Sequence, residues 1–147
     1  MSNGNPVGKT KTQGWEIGVS KTLPVSVPEA WGALTSDAGK KAWFGEGGAL
    51  PLEKGATFET NDGTVGRMVS IDAGGPEKGK MVRMRWRPRR WDFDSTLQVR
   101  VMPAKRGATI RFHQEKLESG AQREEMRVHW QEVMQKIEKI EKMLVKD

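Results

Sequence analysis

The chain has 147 residues, a net charge of +6 and no cysteine. Its length is that of one domain with one hydrophobic core, and the lack of cysteine excludes a disulfide framework, a thiolate metal site and a cysteine nucleophile. The polar N-terminus does not have the apolar run of a signal peptide, and no segment reaches the roughly 20 apolar residues that span a bilayer. We therefore expect a cytoplasmic protein with no membrane span.

The first residues are rich in Gly, Asn, Lys and Thr and show no periodicity. This composition predicts a flexible N-terminal leader, residues 1–14, ahead of a domain that comprises residues 15–147. From Trp15 to Leu23 apolar and polar residues alternate, which predicts a first strand with one apolar face.

Two short helices are predicted after this strand. Ser26 and Glu29 have the spacing of a capping box, which indicates a short helix that ends near Leu34. Ser36 then resembles a second N-cap, so we expect a short helix, weakened by glycine, that ends near Trp43.

From Ala56 onward the apolar residues recur at every second position, and turn residues interrupt the pattern at intervals, for example at Gly74-Gly75-Pro76. Asp62-Gly63 is a strong hairpin signal because both residues tolerate positive φ. The pattern predicts an antiparallel meander with strands at Ala56–Thr60, Val65–Ile71, Met81–Arg87, Ser95–Met102 and Ala108–Lys116.

The C-terminal segment predicts a long helix that begins near Gly120. Its apolar residues recur at spacings of four and three, which places them on one stripe that must be covered. A coiled-coil dimer would also satisfy this spacing, but we expect the stripe to pack against the sheet of the same chain. The stripe comprises Met126, Trp130, Val133, Ile137, Ile140 and Leu144.

This order of elements resembles the START-like (SRPBCC) superfamily. The segments VPEAWGALT at 27–35 and KAWFG at 41–45 are similar to a signature of the subfamily named after the activator of heat-shock-protein-ninety ATPase, and VRMRW at 82–86 resembles one of its strands. Residues 95–103, residues 107–113 and the pair at 129–130 are similar to its late strands and its last helix. The resemblance implies an α+β helix-grip fold, in which a curved antiparallel sheet of about six strands wraps around a long C-terminal helix.

The resemblance also implies a cavity between the sheet and the C-terminal helix, where superfamily members hold hydrophobic molecules. Strand alternation independently places an aromatic and methionine-rich set of side chains on the face toward that helix, which suits an adaptable apolar ligand. A core filled by these side chains, with no cavity, is the alternative. The candidate ligand-binding residues are Trp43, Phe44, Phe58, Met84, Trp86, Phe112, Met126, His129, Trp130 and Met134.

Two functions are consistent with this pattern. The first is a non-catalytic binding module, a monomer or weak homodimer, that holds a small hydrophobic or lipid-like ligand. The second is a protein-interaction or chaperone-accessory domain with no small-molecule ligand. We expect no enzyme activity, because no acid–base pair converges on the presumed cavity, and no cofactor or metal, because the chain has only two histidines and no cysteine.

The opposite face of the sheet is predicted to be basic. It carries arginines that would lie on adjacent strands and could contact phosphates or anionic lipid. An ordinary solvated face is the simpler interpretation, and we do not expect nucleic acid as a partner. His113, beside Glu115, is expected to make hydrogen bonds on this face, and Asp92 and Asp94 are expected in a turn or a salt bridge. The arginines are Arg83, Arg85, Arg87, Arg100 and Arg111.

Overall fold

The computed structural model describes residues 9–10, 14–47, 50–72 and 79–145. In these residues a seven-stranded antiparallel sheet has the order β1-β2-β7-β6-β5-β4-β3. The strands are β1 (Lys9–Thr10), β2 (Gly14–Leu23), β3 (Thr57–Glu59), β4 (Val65–Asp72), β5 (Lys80–Arg87), β6 (Ser95–Ala104) and β7 (Gly107–Leu117). The helices are α1 (Val27–Thr35), α2 (Asp37–Trp43) and α3 (Gly120–Val145).

The predicted helix-grip architecture is confirmed. The sheet is curved and open, α3 lies against it, and the two short helices follow the strand β2. Six strands correspond to the predicted ones, and the two-residue strand β1 pairs with β2 at the edge of the sheet. The other residues of the predicted leader, 1–8 and 11–13, and the predicted turn at 74–76 lie outside the described residues.

Local interactions explain why the two short helices form where they do. The Ser26 hydroxyl accepts a hydrogen bond from the Glu29 backbone N–H (3.1 Å), while the Glu29 carboxylate accepts one from the Ser26 N–H (2.8 Å). The Ser36 hydroxyl accepts a hydrogen bond from the Gly39 N–H at the start of α2 (3.0 Å). Each cap satisfies N–H groups that have no partner within the helix, so both predicted caps are confirmed.

The turn between β3 and β4 is built around Asp62. Its carboxylate accepts hydrogen bonds from the Thr60 hydroxyl (2.5 Å) and from the Thr64 N–H (3.0 Å), and the hydrogen bond from Thr60 is the main reason that the pKa of Asp62 is lowered. Gly63 follows with a φ of +89°, a backbone conformation that residues other than glycine rarely adopt. The predicted hairpin is confirmed, and it places Asp62 and Thr64 at one end of the sheet.

The apolar stripe of α3 supplies the core between helix and sheet. Met126, Trp130, Val133 and Ile137 are buried and Ile140 is partly buried. Leu144, however, is 53% exposed, so the prediction that the stripe is covered over its whole length is wrong. Apolar periodicity identifies a face of a helix, but it does not locate the end of the layer that covers this face.

Candidate functional site

The centre of the space between α3 and the sheet is filled by side chains. The Trp130 ring is fully buried and stacks on Phe112, with ring centroids 4.8 Å apart and an angle of 10° between the planes. Its indole N–H donates to the Gln114 side-chain oxygen (2.9 Å), the Gln114 amide donates to the Ser95 hydroxyl (3.0 Å), and that hydroxyl donates to the Trp86 carbonyl (2.6 Å). This chain of bonds satisfies polar groups that would be costly to bury alone.

A cleft of about 350 Å³ opens at one end of this packed centre. It lies between the C-terminal end of α2, the β3–β4 turn, the end of β5 and the first three turns of α3. We call it the end cleft. It is lined by Lys41, Ala42, Trp43, Phe44, Gly45, Asp62, Thr64, Trp86, Pro88, Arg90, Glu125, Met126 and His129.

Half of the candidate ligand-binding residues are brought together in the end cleft. Trp43, Phe44, Trp86, Met126 and His129 line it. The others do not: Phe58 packs behind Phe44, with ring centroids 4.8 Å apart, and the four remaining side chains lie in the packed core. Those four are Met84, Phe112, Trp130 and Met134. Strand and helix periodicity identified the inward face, but the depth of each side chain depends on packing across elements.

The floor of the end cleft is apolar and aromatic. Trp43 is fixed there by its indole N–H, which donates to the Leu34 carbonyl (2.9 Å), and by an edge contact with Phe44 (centroids 5.5 Å apart). Trp86 is held between Trp91 and Trp130, with centroid distances of 6.1 and 5.7 Å. The buried Trp86 indole N–H has no acceptor among the described residues, and an unpaired buried donor is destabilising.

The rim of the end cleft is polar, and most of its charges are paired. Arg90 forms an ion pair with Glu125, and Lys41 lies 3.8 Å from Glu46. His129 contacts the Trp130 ring edge-on at 4.6 Å, and burial lowers the pKa of its imidazole. The imidazole is therefore neutral near pH 7, so one nitrogen donates a hydrogen bond and the other accepts one.

Sequence reasoning missed the rim. Lys41, Asp62, Thr64, Arg90 and Glu125 line the end cleft but were not candidates. Each lies in a turn, at a helix end or beside the apolar stripe of α3, positions where a polar residue is ordinary. The motif around Asp62 did predict the turn itself, and only the fold shows that this turn faces α2 and α3.

The remaining polar candidates have structural partners. The His113 ring nitrogen lies 2.8 Å from the Glu16 carboxylate, in agreement with the predicted hydrogen-bonding role. Asp94 lies 3.7 Å from the Arg87 guanidinium, which is the expected salt bridge. In the described ranges no three His, Cys, Asp or Glu side chains are placed to hold a metal ion. Nor is any helix in those ranges long and apolar enough to cross a membrane.

Several solved structures have the same fold at low sequence identity. A protein from Mesorhizobium loti is 15% identical, with a TM-score of 0.67 over 85% of this chain and 95% of its own. An HSP90 activator from Plasmodium falciparum is 17% identical, with a TM-score of 0.65 over 85% of this chain and 94% of its own. CalU16 from Micromonospora echinospora is 17% identical, with a TM-score of 0.66 over 86% of this chain and 75% of its own.

No curated protein matches the sequence. The family model described as "Activator of Hsp90 ATPase homolog 1-like protein" matches residues 24–142. This range includes α1, α2, the strands β3 to β7 and most of α3. This family fold is consistent with a ligand-binding domain or with a domain like an Hsp90 activator. The chain belongs to the Activator of Hsp90 ATPase homolog 1-like protein family.

Proposed function

We propose that this protein is a non-catalytic, cytoplasmic binding module that holds a small hydrophobic or lipid-like ligand in the end cleft. The observation that carries the proposal is a cleft of about 350 Å³ whose floor contains Trp43, Phe44, Trp86 and Met126. This volume lies at the lower end of the range for small-molecule sites, roughly 300–1,000 Å³. The ligand would therefore be small.

The apolar floor supplies the driving force for such binding. Removal of apolar surface from water is worth about 25 cal/mol per Å², and the methionine side chain of Met126 adapts to irregular shapes. The neutral ring of His129, which lines the end cleft, gives the site a polar group that would orient a ligand with one hydrogen-bonding end. A largely apolar molecule with a single polar group suits this combination.

The chemistry of the rim favours binding without catalysis. The Asp62 carboxylate is held by Thr60 and Thr64, and the Glu125 carboxylate is held by Arg90. Acid–base catalysis usually needs a carboxylate that is free to reach the substrate, or an imidazole that such a carboxylate orients. The carboxylates of this rim are instead engaged in the turn and in an ion pair.

Ligand binding can be tested by blocking the end cleft. Ala42 lies in α2, is partly buried and lines the cleft, so Ala42→Phe should fill part of it. We expect a panel of fatty acids and polycyclic aromatic compounds to include binders that shift the tryptophan emission of the parent protein and raise its melting temperature. The Ala42→Phe variant should lose these responses.

Ala38→Phe is the matched control, because Ala38 lies in the same helix but is exposed and does not line the end cleft. This variant should retain the parent response. A parent protein that responds to no compound in the panel would contradict the proposal, and so would equal binding by Ala42→Phe and the parent.

A chaperone-accessory role is the second candidate. It is supported by the family to which the chain belongs and by the similarity of its fold to that of the HSP90 activator from Plasmodium falciparum. In this role the protein would act on a protein partner and would need no small-molecule ligand. The test is the ATPase rate of an Hsp90 chaperone with and without the protein. An unchanged rate, together with no co-sedimentation of the two proteins, would eliminate this candidate.

A further inference from the structure

A second depression lies on the opposite face of the sheet. Arg85 and Trp86 are successive residues of β5, so their side chains are on opposite faces, and Trp86 lines the end cleft. On the outer face, Arg85 pairs in register with Arg67 of β4. These two arginines and Lys54, which precedes β3, line a depression of about 220 Å³ together with Gly55, Met68 and Val69.

The positive charges around this depression have no acidic partner among the described residues. None of its lining residues is acidic. Within the described ranges, the side chains of Lys54, Arg67 and Arg85 take part in no ion pair or hydrogen bond. Like charges directly opposite each other on neighbouring strands are destabilising, and no ion pair in the described part of the chain offsets the repulsion between Arg67 and Arg85.

The neighbouring arginines of β5 differ in this respect. The Arg83 guanidinium donates to Glu115 (3.1 Å) and to Gln98 (3.2 Å), and Arg87 lies 3.7 Å from Asp94. The arginines on either side of Arg85 in the outward row are thus partnered by residues of the chain. Of these three arginines of β5, Arg85 alone has no partner within the described residues, and it is the one that lines the depression.

We propose that Lys54, Arg67 and Arg85 form a binding site for a phosphate group. The guanidinium group matches the geometry of phosphate oxygens through two parallel N–H donors, and the lysine ammonium adds a compact third charge. One doubly charged phosphate would relieve the repulsion between the two arginines. The phosphate could belong either to a free molecule or to a lipid headgroup, because both present the same group to the site. The site lies on the face of the sheet opposite the end cleft.

Charge reversal of one arginine tests this site without weakening the sheet. Arg85→Glu places an acid opposite Arg67, a favourable cross-strand pair, so this variant should fold and its depression should lose affinity for anions. Arg111→Glu is the matched control. Arg111 is also exposed on a central strand and pairs in register with another arginine, Arg100, but it does not line the depression.

Two probes distinguish the sources of phosphate. Titration calorimetry with inorganic pyrophosphate at constant ionic strength measures binding of the free anion, and co-sedimentation with vesicles of phosphatidylcholine plus phosphatidic acid measures binding of a lipid headgroup. Vesicles of phosphatidylcholine alone are the reference. Since hydrogen bonds to charged groups are each worth about a factor of ten or more in affinity, Arg85→Glu should weaken binding at least about tenfold, and Arg111→Glu should change it much less.

Binding of pyrophosphate with this variant pattern supports a site for free phosphate compounds, and binding of only the phosphatidic acid vesicles with the same pattern supports a headgroup site. If the parent protein binds neither probe, the proposal is wrong. It is equally wrong if Arg111→Glu weakens binding as much as Arg85→Glu, because binding would then follow the net charge of the face. None of these outcomes depends on whether the end cleft holds a ligand.

Discussion

At the scale of single residues, two glutamates of α3 show how local surroundings set the sign of an electrostatic contribution. The Glu141 residue is 4% exposed and forms no ion pair in the described part of the chain. Burial, assisted by the negative charge of Glu29, raises the pKa of its carboxyl. Three residues earlier, the Glu138 carboxylate accepts a hydrogen bond from Lys21 (2.6 Å), which lowers its pKa.

We expect Glu141→Gln to stabilise the protein near neutral pH. A raised pKa means that the folded state holds the proton more tightly than the unfolded state, so the contribution of Glu141 is lost as the pH rises through its folded pKa. The gain should be largest above the raised pKa of folded Glu141, and it should shrink as the pH falls through that value towards the pKa of an ordinary glutamate. Urea unfolding between about pH 4 and about pH 7 measures this dependence.

Glu138→Gln in the same helix is the control of opposite sign. Its lowered pKa means that the ion pair with Lys21 stabilises the folded state above the unfolded pKa and is lost as the pH falls. This variant should therefore be slightly less stable than the parent near neutral pH. Equal responses of the two variants would mean that burial of Glu141 does not determine its pKa.

At the scale of elements, the contact between α1 and α2 depends on a glycine. A Cβ added at Gly39 would lie 1.8 Å from the Ala33 carbonyl oxygen, so no side chain fits without movement of the backbone. The sequence suggested only that this glycine weakens α2. It could not reveal the close approach, because the approach depends on the angle between two helices, which is set by Ser36 and by the hydrogen bond from Trp43 to Leu34.

We expect Gly39→Ala to destabilise the protein by about 1–3 kcal/mol, the usual cost of overpacking. Helix propensity alone predicts the opposite, a gain of up to about 1 kcal/mol. Gly32→Ala provides the comparison, because Gly32 lies in α1 and an added Cβ would meet no atom within 4 Å. Thermal unfolding should show a higher midpoint than that of the parent for Gly32→Ala and a lower one for Gly39→Ala. If both variants had a higher midpoint, α1 and α2 would pack less closely than the structure indicates.

At the scale of the whole molecule, the sequence was most informative where one local rule determines one element. The capping box at Ser26, the turn at Asp62 and the stripe that begins at Met126 each correspond to an observed feature. The candidate site was only half anticipated. Trp86 of β5 and Trp130 of α3 both point into the space between sheet and helix, yet Trp86 lines the end cleft while Trp130 fills the core. This difference arises from packing between elements distant in sequence.

The same packing argument bears on the alternative of a coiled-coil dimer through α3. Ile137 is fully buried, whereas Leu144, two turns later on the same stripe, is 53% exposed. Packing within one chain therefore predicts unequal effects: Ile137→Ala should cost about 2–5 kcal/mol, and Leu144→Ala should change stability by less than about 0.5 kcal/mol. A coiled coil would instead bury both residues in the seam between two helices.

Denaturant unfolding of both variants and of the parent, each at two protein concentrations at least about a hundredfold apart, measures this difference. Unfolding that is coupled to dissociation has a midpoint that rises with protein concentration, so a core that is complete within one chain predicts midpoints that do not move. Similar losses for the two variants, together with a parent midpoint that rises with concentration, would contradict the packing of α3 against its own sheet. The end cleft, which takes Glu125, Met126 and His129 from α3, would then have to be redefined with a second chain.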